Sequence, residues 1–302
     1  MLKKEGARLI LQLHVHSNRS HDSKISIKKY VNFLHKSLRK NEIAILGIID
    51  HNVLPIKTEK AMAMSTKKVL VIPGIQWKLH KDFWEAWSLL CTRREIITLG
   101  NHDSLKNYIQ RKTNHSIMRN EEIRGNFTEK EFLDYLSKHK KNLMLIFPHP
   151  QHFGVDYYGD EEIKKLVRKI KKKKIFIPFF VEEKTGYDPF PRIFHHFQGE
   201  FPVLAGSDAH EIKSFFGTNS LFSAYAYIDC NRKIKRLIQK TIRNKNKKLY
   251  NKTIEKIFKL LKEKNNKIRL IKHYFSSAVQ FLGSVPRFIK RRFNNFPDNL
   301  TR

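Results

Sequence analysis

The sequence predicts an α/β fold, built as a parallel sheet or barrel and followed by a basic helical extension. Three observations carry this. Apolar runs short enough for buried strands recur about seven times before residue 230, stretches of helical apolar spacing lie between them, and the last quarter turns into a Lys-rich helical pattern. In such folds the chemistry sits where strands end in loops at their C-terminal edge.

The strand candidates are residues 8–13, 43–49, 69–72, 96–99, 143–147, 175–181 and 203–205, each mostly Val, Ile, Leu or Phe. Between the first two, Ser26 precedes Ile27, Tyr30, Val31, Leu34 and Leu38, the spacing of one buried helix face. Thr128-Glu129-Lys130-Glu131 reads as a capping box opening a helix through Leu136. After Arg232, Ile234, Leu237, Ile238 and Ile242 line one helical face, and Ile254, Ile257, Phe258, Leu260 and Leu261 line another. A boundary near Cys230 therefore separates a barrel over 1–230 from a basic helical extension over 231–302.

Composition narrows the function classes. The 302 residues suffice for one large domain with its own core, and 40% hydrophobic residues exclude wholesale disorder despite a charged fraction of 29%. Cys91 and Cys230 lack Cys-x-x-Cys spacing, which excludes a disulfide framework and a thiolate zinc site and points to a reducing cytoplasm. No run approaches the roughly 20 apolar residues of a membrane span. Sixty Lys and Arg against 28 Asp and Glu give a net charge of +32, which attracts nucleic acid, anionic lipid or phosphorylated substrates. Coding bias toward Lys, Asn and Ile is a plainer source for part of that excess. Residues 231–302 hold 22 Lys and Arg against Glu255, Glu263 and Asp298, so +19 lies there and +13 on the first 230. The end of the chain mixes Tyr274, Phe275, Phe281, Phe288 and Phe293 with Lys290-Arg291-Arg292, which suits peripheral contact with an anionic membrane or a nucleic-acid backbone.

Nearly every strand candidate ends in residues that bind metals. The first ends in His14-Val15-His16, where an extended His-x-His turns both imidazoles to one side, and Asp22 follows six residues later. The second ends in Asp50-His51, the fourth in Gly100-Asn101-His102-Asp103, the fifth in His149-Pro150 and the seventh in Gly206-Ser207-Asp208-Ala209-His210. Imidazoles and carboxylates converging at one rim suit Zn, Mn or Fe.

This order, with Pro73-Gly74 between the second and fourth groups, resembles the polymerase and histidinol phosphatase (PHP) superfamily over roughly residues 8 to 228. The resemblance implies a distorted seven-stranded α/β barrel of PHP type. It further implies two or three divalent ions in the mouth and hydrolysis of a phosphate ester. Carried over by position, His14, His16, Asp22, His51, His102, His149, Asp208 and His210 are the implied ligands, with Asp50 orienting His51 from behind. Gly100-Asn101-His102-Asp103 also resembles a calcineurin-like phosphoesterase motif, but that family's other motifs are missing.

One position departs from the PHP pattern. Where that superfamily has a metal-bridging Glu, this sequence has Gln76, neutral and with a single acceptor oxygen. The departure implies a site with one ion fewer, a weakened site or an inactive one. Arg19 in the first ligand loop, Lys184 and Lys213 are candidate phosphate binders, and His21 and His152 are candidate proton donors to a leaving group. Glu182, at the end of the sixth strand candidate, reads as an orienting or rim acid rather than a ligand. The aromatic segment around Trp77, Trp84 and Trp87 reads as a packed helix or lid.

The functional expectation is a cytoplasmic metal-dependent phosphoesterase acting on a phosphorylated small molecule. The alternatives are a nuclease of the same fold, or a weakened barrel that binds nucleic acid or anionic lipid.

Overall fold

A computed structural model describes residues 6–20, 23–51, 54–80, 94–103, 127–140, 143–148, 160–184, 201–205, 209–210, 222–264 and 269–274. Each of the seven strand candidates overlaps a strand: β1 (Ala7–Val15), β2 (Glu42–His51), β3 (Val69–His80), β4 (Arg94–Gly100), β6 (Leu143–Phe147), β7 (Phe179–Lys184) and β8 (Val203–Ala205), the sixth candidate's first four residues, 175–178, lying before β7. The short β5 (Phe127–Thr128) pairs with β3, while β9 (Phe222–Cys230) and β10 (Arg269–Tyr274) add an antiparallel edge beside β1.

The sheet runs β10-β9-β1-β2-β3-β4-β6-β7-β8. The seven strands from β1 to β8 form a curled half-barrel whose ends touch at one parallel bridge between Val15 and Ala209. There His16 N–H donates to the Ala209 carbonyl at 3.0 Å, and Ala209 N–H to the His14 carbonyl at 3.4 Å. β9 pairs with β1 only from Ala7 to Leu11, so the upper edge of β1 is left for the segment after β8.

Within the seven strands of the half-barrel, the pairing departs from the all-parallel expectation in one place. β4 is antiparallel to both neighbours, pairing Gly74 with Leu99 on β3 and Leu99 with Met144 on β6. A buried strand's apolar run reads the same in either direction, so the sequence pattern carried no information about this reversal.

Helices α1 (Ile27–Ser37), α2 (Thr58–Met64), α3 (Glu129–His139) and α4 (Asp160–Lys172) cover the sheet. Ser26 caps α1 by accepting from Lys29 N–H, and Ile27, Tyr30, Val31 and Leu34 are its buried face. Thr128 and Glu131 form the expected capping box at α3. The helix α4 ends in a Schellman turn, with Lys174 N–H on the Lys171 carbonyl and Ile175 N–H on the Ile170 carbonyl. Lys174 takes the left-handed position, φ 55°, where glycine is favoured, at a strain of about 1 kcal/mol.

Beyond Cys230 the described residues hold two helices and a strand in place of an all-helical extension. α5 (Arg232–Asn244) and α6 (Lys247–Glu263) are joined across their contact by the Thr241 and Thr253 hydroxyls at 2.7 Å. Ile238, Tyr250, Ile254, Ile257, Phe258 and Leu261 enter the same core as β1, β2 and β3. Both helices thus spend their apolar faces on the sheet and turn their cations to solvent. Among the described residues, no helix is long and apolar enough to cross a membrane.

Candidate metal centre

β1, β2 and the segment after β8 deliver four imidazoles to one end of the sheet. The register of β1 on β2 moves from Gln12 opposite Leu46 to Val15 opposite Ile48, so β1 carries one extra residue, a bulge, within Leu13–His14. Bulges re-aim the side chains that follow them. This one needs Gly47 beside it, because a Cβ there would lie 2.5 Å from the Leu13 carbonyl oxygen and 2.9 Å from Leu99 Cδ2. The sequence reading passed over Gly47, although a lone glycine within a strand pattern signals such a close approach.

His14 and His16 lie fully buried with their Nε2 atoms 3.2 Å apart, so the His-x-His segment does turn both rings to one side. His16 is the hub of the group. Its ring stacks on His210 at 4.3 Å between centroids and 13° between planes, and stands 4.6 Å from His51. His16, His51 and His210 each offer a nitrogen, all within 4.8 Å of one another.

Behind His14 stands Glu182. Its carboxylate accepts from His14 Nδ1 at 3.0 and 3.3 Å, and both side chains are almost completely buried. A carboxylate on Nδ1 fixes the tautomer with its proton there, which leaves Nε2 with its lone pair toward His16. Two nitrogens that bind one tetrahedral ion at 2.0–2.1 Å sit about 3.3 Å apart, close to the separation found here. Clustered imidazoles with a carboxylate behind one of them fit a divalent transition ion.

Other contacts hold the frame. Asp50, fully buried, accepts from Ser17 N–H at 2.7 Å and from the Ser17 hydroxyl at 2.5 Å, which pins the turn after His16 to the end of β2. Ser23 Oγ donates toward the His16 carbonyl at 3.0 Å and the His210 carbonyl at 3.3 Å. Tyr30 of α1 donates to the Ala209 carbonyl at 3.1 Å, anchoring the residue before His210. In the sequence Tyr30 is one more apolar position on a helix face, so its hydroxyl's role was not legible there. Gln76 is buried on β3 directly opposite His51 in register, so the position where the resemblance implies a glutamate lies beside the group. Arg19 is exposed in the turn just past His16.

His102 lies in a different setting from these four rings. β4 runs antiparallel to both neighbours, and His102 follows its C-terminal end. Both ring nitrogens face protein groups: Nδ1 is 2.8 Å from the Tyr135 hydroxyl, and Nε2 is 3.2 Å from the Thr98 carbonyl and 3.3 Å from its Oγ1. A carbonyl only accepts, so Nε2 carries the proton and Tyr135 donates to Nδ1. Burial pushes this imidazole down to about 4, against the opposing pull of the Thr98 carbonyl and Asp103. Trp77 belongs to the same outer layer, its Nε1 donating to Thr98 Oγ1 at 2.7 Å beneath α3, and is core rather than lid.

His21, Asp22, His149 and Asp208 lie outside the described residues, as do His152, Lys213, Trp84 and Trp87. No family model matches the chain, and no curated protein matches it. Among solved structures it is similar to a provisionally assigned metal-dependent phosphoesterase from Bifidobacterium adolescentis, at 12% identity and TM-score 0.42 over 72% of this chain and 91% of that one. It is also similar to PsfC from Pseudomonas syringae, at 11% identity and TM-score 0.41 over 95% and 99%. At TM-scores of that size the likenesses are loose and assign neither fold nor activity.

Proposed function

We propose that this chain is a metal-dependent hydrolase of phosphate esters, centred on His14, His16, His51 and His210. The observation that supports the reading is the convergence of these four imidazoles at one end of the half-barrel, with Glu182 fixing the tautomer of His14. A divalent Zn, Mn or Fe ion bound there supplies the Lewis acidity that phosphate-ester hydrolysis needs at neutral pH. The protein's own part is to present nitrogens in the right tautomer and to hold the turn after His16 through Asp50. Arg19, at the rim, has the charge and the reach to meet a phosphoryl oxygen. Asp22, His149 and Asp208 complete the ligand set in this reading, and His21 is the nearby proton donor. Two or three ions would follow from the resemblance, with Gln76 lowering the negative charge available to hold them.

The test is metal analysis of the purified protein beside hydrolysis of a generic phosphomonoester with added Mn or Zn. Bound transition metal and metal-dependent turnover are expected. A protein that takes up neither ion and stays inactive overturns the proposal. A second reading, a nuclease, draws support from residues 231–264, where fourteen Lys and Arg face two acids. Metal-dependent cleavage of a labelled single-stranded oligonucleotide, with no turnover of the small ester, would favour it.

A further inference from the structure

The end of the sheet opposite the imidazoles has its own surface. Four connections open there, residues 36–41, 65–68, 138–140 and 171–178, leading into the mutually parallel strands β2, β3, β6 and β7. None of the four contains an acidic residue, and apart from Arg39 their cations are all lysines. Two neighbouring connections touch, Lys140 Nζ donating to the Lys174 carbonyl at 3.4 Å. Cations at helix C-termini complement the helix dipole, and this accounts for part of the pattern.

It does not account for Phe176. At 78% exposure Phe176 is the one large hydrophobic side chain exposed among the described residues, and it sits one residue past four consecutive lysines. Its exposure is built in. The Schellman turn at Lys174 sends the chain into an extended segment in which Ile175 and Ile177 are buried at 2% and 6%. Alternation in an extended chain then points Phe176 outward between two anchored neighbours. Lys174 occupies a left-handed position that favours glycine. Lys173 pairs with Asp134 at 3.1 Å, while Lys171, Lys172 and Lys174 are exposed around the ring.

We infer that this end of the protein is a docking surface for an anionic lipid bilayer, with Phe176 entering the interface and the surrounding lysines facing lipid headgroups. Connections that open at one end of neighbouring parallel strands present a broad rim, which suits a planar partner. Lysine in place of arginine gives point charge without the fork that reads phosphate or base edges. An aromatic ring among lysines is the combination that peripheral membrane contacts use. The opposite placement of the histidines leaves their mouth open to solvent when the protein is docked. The inference is independent of the metal centre.

Sedimentation with phosphatidylcholine vesicles, with and without phosphatidylserine, tests it. The wild type is compared with Phe176→Ala, with a triple variant carrying Lys171→Gln, Lys172→Gln and Lys174→Gln, and with an equal charge change on α6 carrying Lys248→Gln, Lys252→Gln and Lys256→Gln. Binding only to vesicles containing phosphatidylserine is expected. Phe176→Ala should weaken it roughly tenfold, the first triple variant at least that much, and the α6 variant less than about twofold, all with bound metal unchanged. Equal loss in both triple variants would show diffuse charge attraction and overturn the proposal. So would wild-type binding by Phe176→Ala, or binding to a single-stranded oligonucleotide in place of vesicles. Phe176 is outside the core, so its variant decides the matter even if a lysine variant fails to fold.

Discussion

The Glu182 carboxylate holds Nδ1 of His14 at 3.0 Å, and in doing so turns Nε2 of the same ring toward His16. One acid on β7 thus sets the donor atom of a histidine on β1, across the mouth of the half-barrel. Glu182→Gln keeps the shape but removes the charge. It should lower metal affinity about 10- to 100-fold while far-UV circular dichroism stays unchanged. Calorimetric metal titration reads this directly, and an unaltered affinity would mean that His14 does not depend on Glu182.

Gln76 lies opposite His51 in the β2–β3 register. Gln76→Glu places an anionic carboxylate with two donor oxygens beside the imidazoles. The expected outcome is more bound metal per chain, or tighter binding, by elemental analysis and titration. Equal metal content in the two proteins would show that this position does not face the ion.

Gly47 is required by the bulge that aims His14. Gly47→Ala puts a Cβ against the Leu13 carbonyl and Leu99. It should destabilise the fold by about 1–3 kcal/mol in urea unfolding. Metal content should fall as well, because the backbone that must shift carries His14. A loss of stability with full metal content would separate the bulge from the centre.

His102 gives the protein an acid-side pH dependence. Above pH 6.5 the ring is neutral in both native and unfolded chains. Between 6.5 and about 4 the unfolded chain takes up a proton that the buried native ring refuses. Stability therefore falls as the pH drops through that window and levels off below it, by about 3 kcal/mol in all. Urea unfolding of wild type and His102→Gln from pH 7 to 4 checks this. The variant should be less stable at pH 7, since Tyr135 and Thr98 lose their partner, and its pH slope shallower by about one proton.

Much of this was legible in the sequence. The seven strands, the capping box at Thr128 and the shared side of His14 and His16 follow from hydrophobic period and local hydrogen bonding, which neighbouring residues decide between themselves. The partners of His102 were not legible because its motif is local while its contacts with Tyr135 and Thr98 depend on the tertiary fold. Glu182 was read as an orienting or rim acid, but which group it meets was not legible because its partner is 168 residues away in sequence.

By itself, then, the sequence determined the α/β class, the elements and the chemical type of the groups at the strand ends, since period, capping and side-chain chemistry are properties of short segments. Tertiary structure alone decided which of those groups meet. It reversed β4 and set His102 against Tyr135 and Thr98. It brought Ala209 back to Val15 so that His210 could stack on His16, and it set Glu182 behind His14. Strand direction and register come from packing and hydrogen-bond pairing over the whole sheet, and a slip of one residue would send every side chain to the other face.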